Sequence, residues 1–429
     1  MTGGIPDSRW FARREGELWC EGAKLSRVAD AVGTPAFVYS AAAVTEAYGA
    51  LDAALAFAPH LVAYAVKANG NLAILSLLAK LGCGADIVSG GELERCLAAG
   101  MPKERIVFSG VGKRDEEIEA ALRLPIRSLH VESAPELRVV EEIARRLGVC
   151  ARVALRVNPD VDPETHPYIA TGLHDTKFGV EVDIARELVG RILASKHLEL
   201  DGLACHIGSQ VGRASALREA VAIVARFAVE CRAAGAPVRA LDAGGGFPIA
   251  YGHEKAPYPT TAELGEAIRG GIADGGARDL GLEVIVEPGR ALVGNAGVLL
   301  TRVIFEKRSP NKRFVVVDAA MTELIRPALY QAHHAIEPVA DPPDGAPAGP
   351  ADVVGPVCET GDFLARDRAL PPLARGDLLA IHSAGAYAAS MSSTYNARPR
   401  APEVLVDGDE FRVVRDRQRV EDLWRGEKA

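Results

Sequence analysis

Between residues 60 and 290 the chain repeats one pattern eight times: a short run of apolar and β-branched residues, then a longer stretch of helical period. The runs are LVAYAVK (61–67), ADIVS (85–89), RIVFSG (105–110), SLHVE (128–132), RVALRVN (152–158), LDGLACH (200–206), RALDA (239–243) and LEVIVE (282–287). This alternation is the signature of repeated βα units and a parallel sheet. The intervening stretches, such as LAILSLLAKLG, GELERCLAAG, APELRVVEEIARRLG and SALREAVAIVARFAVECRAAG, each end near a glycine able to take the left-handed C-cap conformation. Eight such units in a row fit a closed (β/α)8 TIM barrel better than an open doubly wound sheet.

After residue 298 the rhythm changes. VLLTRVIFEK, RFVVVDAA, DLLAIHS and PEVLVDGDEFRVV read as strands without long helices between them, so a second, β-rich domain of barrel or sandwich type begins there. ELWCEG and TPAFVYS near the start also read as strands. The expected division is an N-terminal segment 1–40 joining the β domain, a barrel over 41–298 and the β domain over 299–429. The tract ADPPDGAPAGPAD (340–352) reads as an exposed loop.

Composition narrows the function. Lys and Arg number 49 against 57 Asp and Glu, a formal charge of −8, which disfavours nucleic acid as a partner. With 48% apolar and 25% charged residues the chain is an ordinary globular protein rather than a disordered or fibrous one. No run is long enough to span a membrane and the opening residues lack the apolar stretch of a secretory signal, so a cytoplasmic protein is expected. Seven scattered cysteines with no CxxC spacing point to neither a disulfide framework nor a zinc site. Most of them sit in apolar contexts and read as small buried hydrophobes; Cys358 does not.

In a barrel of this kind the chemistry gathers at the C-terminal strand ends. Lys67 ends the first run, Asp86 lies in the second, and His206 ends the sixth. Gly244, Gly245 and Gly246 follow the seventh, and Glu287 and Arg290 follow the eighth. A lysine among apolar neighbours is costly to bury as an ammonium, and a Schiff-base role removes that cost; a lysine reaching to the rim is the plainer reading. GGGF and EPGR occupy the two loops that hold phosphate in many barrels, although glycine clusters also make simple turns. Glu287 suits a partner for a protonated ring nitrogen, or a salt bridge to Arg290. His206 suits stacking on a flat ligand, or a satisfied core position. No histidine spacing, His166 to His174 and His333–His334 included, gives a metal-ligand pattern, so no metal is expected. In the β domain, VCETGDF sets Cys358 beside Glu359, a thiol able to give up a proton next to a carboxylate able to bind an amine. Arg326 and Tyr330 lie one helical turn apart and suit a carboxylate clamp, or a surface pair. Tyr387 lies in a small-residue turn from which a hydroxyl could meet a phosphate.

Taken in order, YAVKAN, HIGSQ, GGGF, EPGR, IRPALY, CETGD and GAYAASMSSTYN resemble the diaminopimelate decarboxylases, of the alanine-racemase-like, fold type III group of pyridoxal-phosphate enzymes. The resemblance spans nearly the whole chain. It implies a barrel followed by a β domain, in a homodimer whose active site is shared between subunits. It implies further that Lys67 carries pyridoxal 5'-phosphate covalently, that His206 stacks on the ring and that Glu287 meets its nitrogen. Ser209, Gly245, Gly246, the segment Glu287, Pro288, Gly289 and Arg290, and Tyr387 would hold the phosphate. Arg290, Arg326 and Tyr330 would bind the distal carboxylate of meso-diaminopimelate and Glu359 its distal amine, and Cys358 from the partner subunit would protonate the product, L-lysine. Asp86 and Glu92 match positions near the lysine and the ring.

The resemblance also separates rivals. Relatives that decarboxylate ornithine, arginine, carboxynorspermidine or a carrier-linked amino acid have no need of the clamp supplied by Arg326 and Tyr330. Racemases of this fold resemble one another in placing an arginine at the ring nitrogen, where this chain has Glu287. Small pyridoxal-phosphate-binding proteins of the same barrel lack a second domain.

Overall fold

The computed structural model describes residues 9–162, 177–343 and 346–428, so His166, His174 and two residues of the 340–352 tract lie outside the described residues. The chain forms two compact units, residues 46–248 with 258–291 and residues 1–45 with 249–257 and 292–429. The segment 249–257 therefore counts with the β-rich unit although it falls inside the 41–298 range.

The first unit is a closed eight-stranded parallel barrel. Its strands are β1 (His60–Ala65), β2 (Gly84–Ile87), β3 (Ile106–Phe108), β4 (Ser128–Val131), β5 (Ala151–Arg156), β6 (Leu198–Ala204), β7 (Ala240–Asp242) and β8 (Glu283–Val286). Closure is direct, with β8 pairing β1 through Val284 opposite His60. Leu61, Ala63, Val107, Ala240 and Ile285 pack together as a buried cluster drawn from four of these strands. Local sequence sets the helix boundaries. Ser89 caps Gly90–Ala98 through the Glu92 N–H. Ser133 caps Ala134–Leu147, which has a proline in its first turn and ends on the left-handed Gly148. Thr260 and Glu263 close a reciprocal capping box on Thr261–Asp274.

In the second unit the strand Ala36–Ser40 lies between Gly297–Arg308, antiparallel, and Glu403–Asp407, parallel. Val38, Val298, Leu300, Val404 and Val406 bury their side chains in one core, which is how the TPAFVYS segment joins a sheet made mostly from the C-terminal third. Of the 340–352 tract, the described residues 341–343 and 346–348 form no regular element and are largely exposed, as a loop should be, whereas its last four residues open the strand Gly349–Val354, antiparallel to Phe363–Leu370 and parallel to Arg313–Val317. Pro350 is tolerated because it stands at the strand's start, before the ladder with Arg313–Val317 begins at Asp352. Among the cysteines, Cys150 as well as Cys358 is exposed; the other five are buried. No helix among the described residues is long and apolar enough to cross a membrane.

Candidate active site

At the end of β1 the chain leaves the strand in a single 3-10 turn, Val66–Ala68. Val66 and Ala68 stay buried, so the turn sends Lys67 outward, 42% exposed at the side chain. Its Nζ stands 2.9 Å from Oδ2 of Asp86, which is fully buried on β2. The other aspartate oxygen has no hydrogen-bond partner among the described residues. Glu92 lies one loop further on, where its carboxylate accepts the Val88 N–H at 2.7 Å. Burial raises its carboxyl above the usual range.

Glu287 follows β8, the neighbour of β1 in the barrel. The Ser109 hydroxyl donates to its Oε1 at 3.2 Å, and His130 Nδ1 lies 3.5 Å from the same atom. Asp242, at the end of β7, presents Oδ2 3.9 Å from His130 Nε2 and takes the Gly244 N–H on Oδ1 at 2.8 Å. Burial first, then the Asp242 and Asp86 carboxylates, push the Glu287 carboxyl well above its ordinary range; Asp242 is raised in the same way, again chiefly by burial. Burial holds His130 down at about 3, so its ring is neutral. One atom from each of His130, Asp242 and Glu287 lies within 4.8 Å of the others, a grouping within reach of a cation. Burial, however, favours the neutral form of all three, which suits a shared proton.

Arg156, at the end of β5, supplies positive charge to this acidic centre. Both oxygens of Glu132 accept from its Nη1 at 3.1 Å, and Glu132 also takes the Gly110 and Gly179 N–H groups. After β6, His206 accepts the Gly245 N–H on Nδ1 at 3.1 Å, which puts the ring proton on Nε2. Burial, then Arg156 and Lys67, hold this imidazole well below its usual range and therefore neutral.

The glycine run does two jobs. A Cβ on Gly244 would lie 2.3 Å from the Cys205 carbonyl oxygen, one on Gly245 2.4 Å from that of Glu287 and one on Gly246 2.3 Å from that of Gly208. The loop thus wedges between its neighbours only because side chains are missing. This corrects the simple picture of three free donors: the Gly244 and Gly245 N–H groups are spent on Asp242 and His206. The Gly246 N–H, partly exposed, has no acceptor among the described residues. Beside it in the neighbouring loops, the buried Arg290 donates from Nη2 to the Ser209 hydroxyl at 3.1 Å. Pro288, buried like Gly289, accepts the Ala65 N–H at 3.0 Å and so braces the first strand end.

The β unit holds a different kind of group. The short helix Arg326–Tyr330 buries Arg326, whose guanidinium lies over the rings of Tyr251 at 5.5 Å and Tyr330 at 5.8 Å. Its Nε points at His334 Nε2, 3.4 Å away. His334 faces the His382 carbonyl through Nδ1 at 2.8 Å, so Nδ1 carries its proton and Nε2 is free to accept. Cys358 and Glu359 stand exposed on a loop braced by buried Asp362, which takes the Met321 and Val357 N–H groups at 2.7 Å. Asn396 accepts the Cys358 N–H at 3.0 Å. Tyr387 adopts φ 55°, a left-handed conformation uncommon for a tyrosine and a mark of a constrained turn.

The strand-end rule thus brings together Lys67, Asp86, His206, Ser209, Glu287 and Arg290. Ser109, His130, Glu132, Arg156 and Asp242 escaped the sequence reading although each sits at the same end of a barrel strand, as did Tyr251 in the β unit. The signal was the position itself. SLHVE, LRVN and LDAGGG each carry a polar residue at a strand end, and a polar residue there needs either a partner or a purpose.

The model of the pyridoxal-dependent decarboxylase, pyridoxal binding domain, matches residues 42–294. The chain is 49% identical over 417 residues to a diaminopimelate decarboxylase of Pseudomonas aeruginosa, covering 97% of this chain and 98% of that one. Among solved structures it is similar to diaminopimelate decarboxylase from Helicobacter pylori complexed with L-lysine, at 43% identity and TM-score 0.89 over 94% of this chain and 98% of that one. It is also similar to the enzyme of the same name from M. jannaschii in co-complex with L-lysine, at 36% identity and TM-score 0.93 over 100% of this chain and 99% of that one.

Proposed function

The chain belongs to the diaminopimelate decarboxylases within the pyridoxal-dependent decarboxylase family, and from that premise we propose how its side chains divide the work. It is a carboxy-lyase that converts meso-2,6-diaminopimelate to L-lysine and CO2 in lysine biosynthesis, with pyridoxal 5'-phosphate as coenzyme.

The donor set of the barrel fits that coenzyme. A primary amine stands exposed in the mouth, oriented by an aspartate with an unused buried oxygen. Glu287, after the adjacent strand β8, is a carboxyl that gains by meeting a basic ring nitrogen. Arg290, the Ser209 hydroxyl and the Gly246 N–H form an anion-binding group in the loops after β6, β7 and β8. We assign Lys67 as the covalent anchor, His206 to the ring face, Glu287 to the ring nitrogen, and Ser209, Gly246 and Arg290, with Tyr387, to the phosphate. When bound, the coenzyme supplies an electron sink for the pair left behind as CO2 departs.

Each residue then has a defined task. Asp86 keeps the Lys67 amine aimed and balances its charge. Glu287 would face the ring nitrogen, where its carboxyl could supply a proton and remain as counter-ion, a role that an arginine could not fill. His206 presents a neutral ring, its tautomer fixed by the Gly245 N–H. To the β unit we assign selection and reprotonation. Arg326 with Tyr330 takes the distal carboxylate, Glu359 the distal amine, and Cys358 gives the product carbon its proton. A substrate lacking the distal carboxylate forgoes the charge-assisted bonds to Arg326, which is where discrimination arises. Exposure of both Cys358 and Glu359 leaves this loop available to serve the partner's site in a homodimer.

The observation that carries this reading is the raised carboxyl of Glu287 on the strand end beside the Lys67–Asp86 pair. The test is CO2 release from meso-diaminopimelate beside ornithine, arginine and lysine. The expected result is turnover of the first at least about a hundredfold above the others; faster turnover of any of the other three overturns the assignment.

A further inference from the structure

We propose that Asp242, His130 and Ser109 are positioning residues that seat the Glu287 carboxyl from behind and hold one proton in common with it. The inference rests on the assignment of Glu287 to the ring nitrogen and deepens it.

The geometry is a closed arrangement on three strands. Ser109 follows β3, His130 lies on β4 and Asp242 ends β7, and all three are almost wholly buried. Ser109 Oγ lies 3.2 Å from both Glu287 Oε1 and His130 Nδ1, so a single hydroxyl ties the glutamate to the imidazole. His130 reaches the other way, its Nε2 3.9 Å from Asp242 Oδ2, and each of those two atoms is buried without a hydrogen-bond partner among the described residues. Asp242 cannot rotate away, because the Gly244 N–H holds its other oxygen at 2.8 Å. Two anionic carboxylates so close in a dry interior repel strongly, whereas one proton between them removes most of that cost. Burial and mutual repulsion raise both carboxyls, in agreement with that count. The charged groups facing the pair are Lys67 and Asp86 from β1 and β2 and Arg156 from β5; Lys113, Arg127 and Arg156 face His130. Cys205 adjoins both carboxyls. A proton kept in reserve behind Glu287 sets how readily that carboxyl gives one up to a ring nitrogen.

Two substitutions push the seat in opposite directions. Asp242→Asn removes an anion and makes Glu287 easier to ionise; Ser109→Ala removes a donor to the carboxylate and makes it harder. The readout is the carboxyl C=O infrared band of the coenzyme-free protein followed against pH, assigned by its loss in Glu287→Gln. The expected midpoint falls by about 1 pH unit or more in Asp242→Asn and rises in Ser109→Ala. In the coenzyme-loaded enzyme the matching limb of the kcat–pH profile moves the same two ways, with KM for meso-diaminopimelate within about twofold. Midpoints that stay put, or that move the same way in both variants, overturn the proposal. Should Asp242→Asn not fold, an unmoved midpoint in Ser109→Ala alone suffices to reject it. Because the band is read without coenzyme or substrate, a wild type that releases no CO2 sinks the functional assignment and leaves this one standing.

Discussion

The barrel mouth and the β unit solve the burial of charge in opposite ways. In the mouth, three acids (Asp86, Asp242 and Glu287) are offset by Lys67, by Arg156 and by protons that burial favours on Asp242 and Glu287. In the β unit the buried guanidinium of Arg326 lies over the faces of two tyrosines, with His334 beside its Nε. The first arrangement can exchange protons; the second can only attract an anion. On the assignments proposed above, coenzyme chemistry falls to the barrel mouth and carboxylate recognition to the Arg326 group, so substitutions at these two places have to read out differently.

The sharpest way to break that division is Lys67→Ala. With the anchor gone, the purified protein should lose the absorbance of the covalently bound coenzyme and turnover should drop by at least about a thousandfold. A protein that keeps both would put the anchor elsewhere and dissolve the contrast. The next effect is smaller and of another kind. Arg326→Lys keeps the charge but loses the flat guanidinium that lies over Tyr251 and Tyr330, so the site should bind a carboxylate less tightly. KM for meso-diaminopimelate should rise by about tenfold or more with kcat nearly unchanged, the mark of lost uniform binding. Steady-state kinetics decide it: a fall in kcat at constant KM would show that Arg326 takes part in the chemical step.

What the sequence conveyed, and what it withheld, follows the same split. The βα rhythm placed all eight barrel strands, because strands buried in a parallel sheet must read as short β-branched runs and the helices between them must show their own period. The mouth residues that lie in recognisable motifs, Lys67 in YAVKAN and Glu287 with Arg290 in EPGR, were legible for the same reason. The seat behind Glu287 was not. Ser109, His130 and Asp242 stand on three different strands, and only the closed barrel brings them together. The GGGF run was legible as a loop that needs glycine, but the reason proved to be steric wedging as well as donor supply. Tyr251 shows the other kind of silence: it belongs to a nine-residue segment, 249–257, that interrupts the barrel's span and packs with the β unit. No local pattern announces such a detour.

The comparison also has to survive an acid that resembles those of the mouth yet lies in the β unit. Glu323 is buried, accepting the Ala320 N–H and the Thr322 hydroxyl at 2.9 Å each, and burial raises its carboxyl from 4.5 to about 7 despite those bonds and the nearby Arg398. The groups that act on it are two hydrogen-bond donors, the guanidinium groups of Arg398 and Arg417 and one like charge, Asp362. A raised carboxyl is thus no marker of catalysis by itself; the company it keeps decides. Here the shift acts on folding. The native state holds the proton up to about pH 7 while the unfolded chain releases it near 4.5, so stability falls as pH rises through that window, by an amount on the order of 3 kcal/mol. Glu323→Gln removes the titration, and the unfolding free energy of the variant relative to wild type should therefore grow between about pH 5 and about pH 8, with turnover at a fixed pH unaffected. Denaturant titrations at the two pH values measure it. A difference that stays flat would mean that Glu323 is ionised in the folded protein throughout, and a loss of turnover would tie Glu323 itself to the reaction.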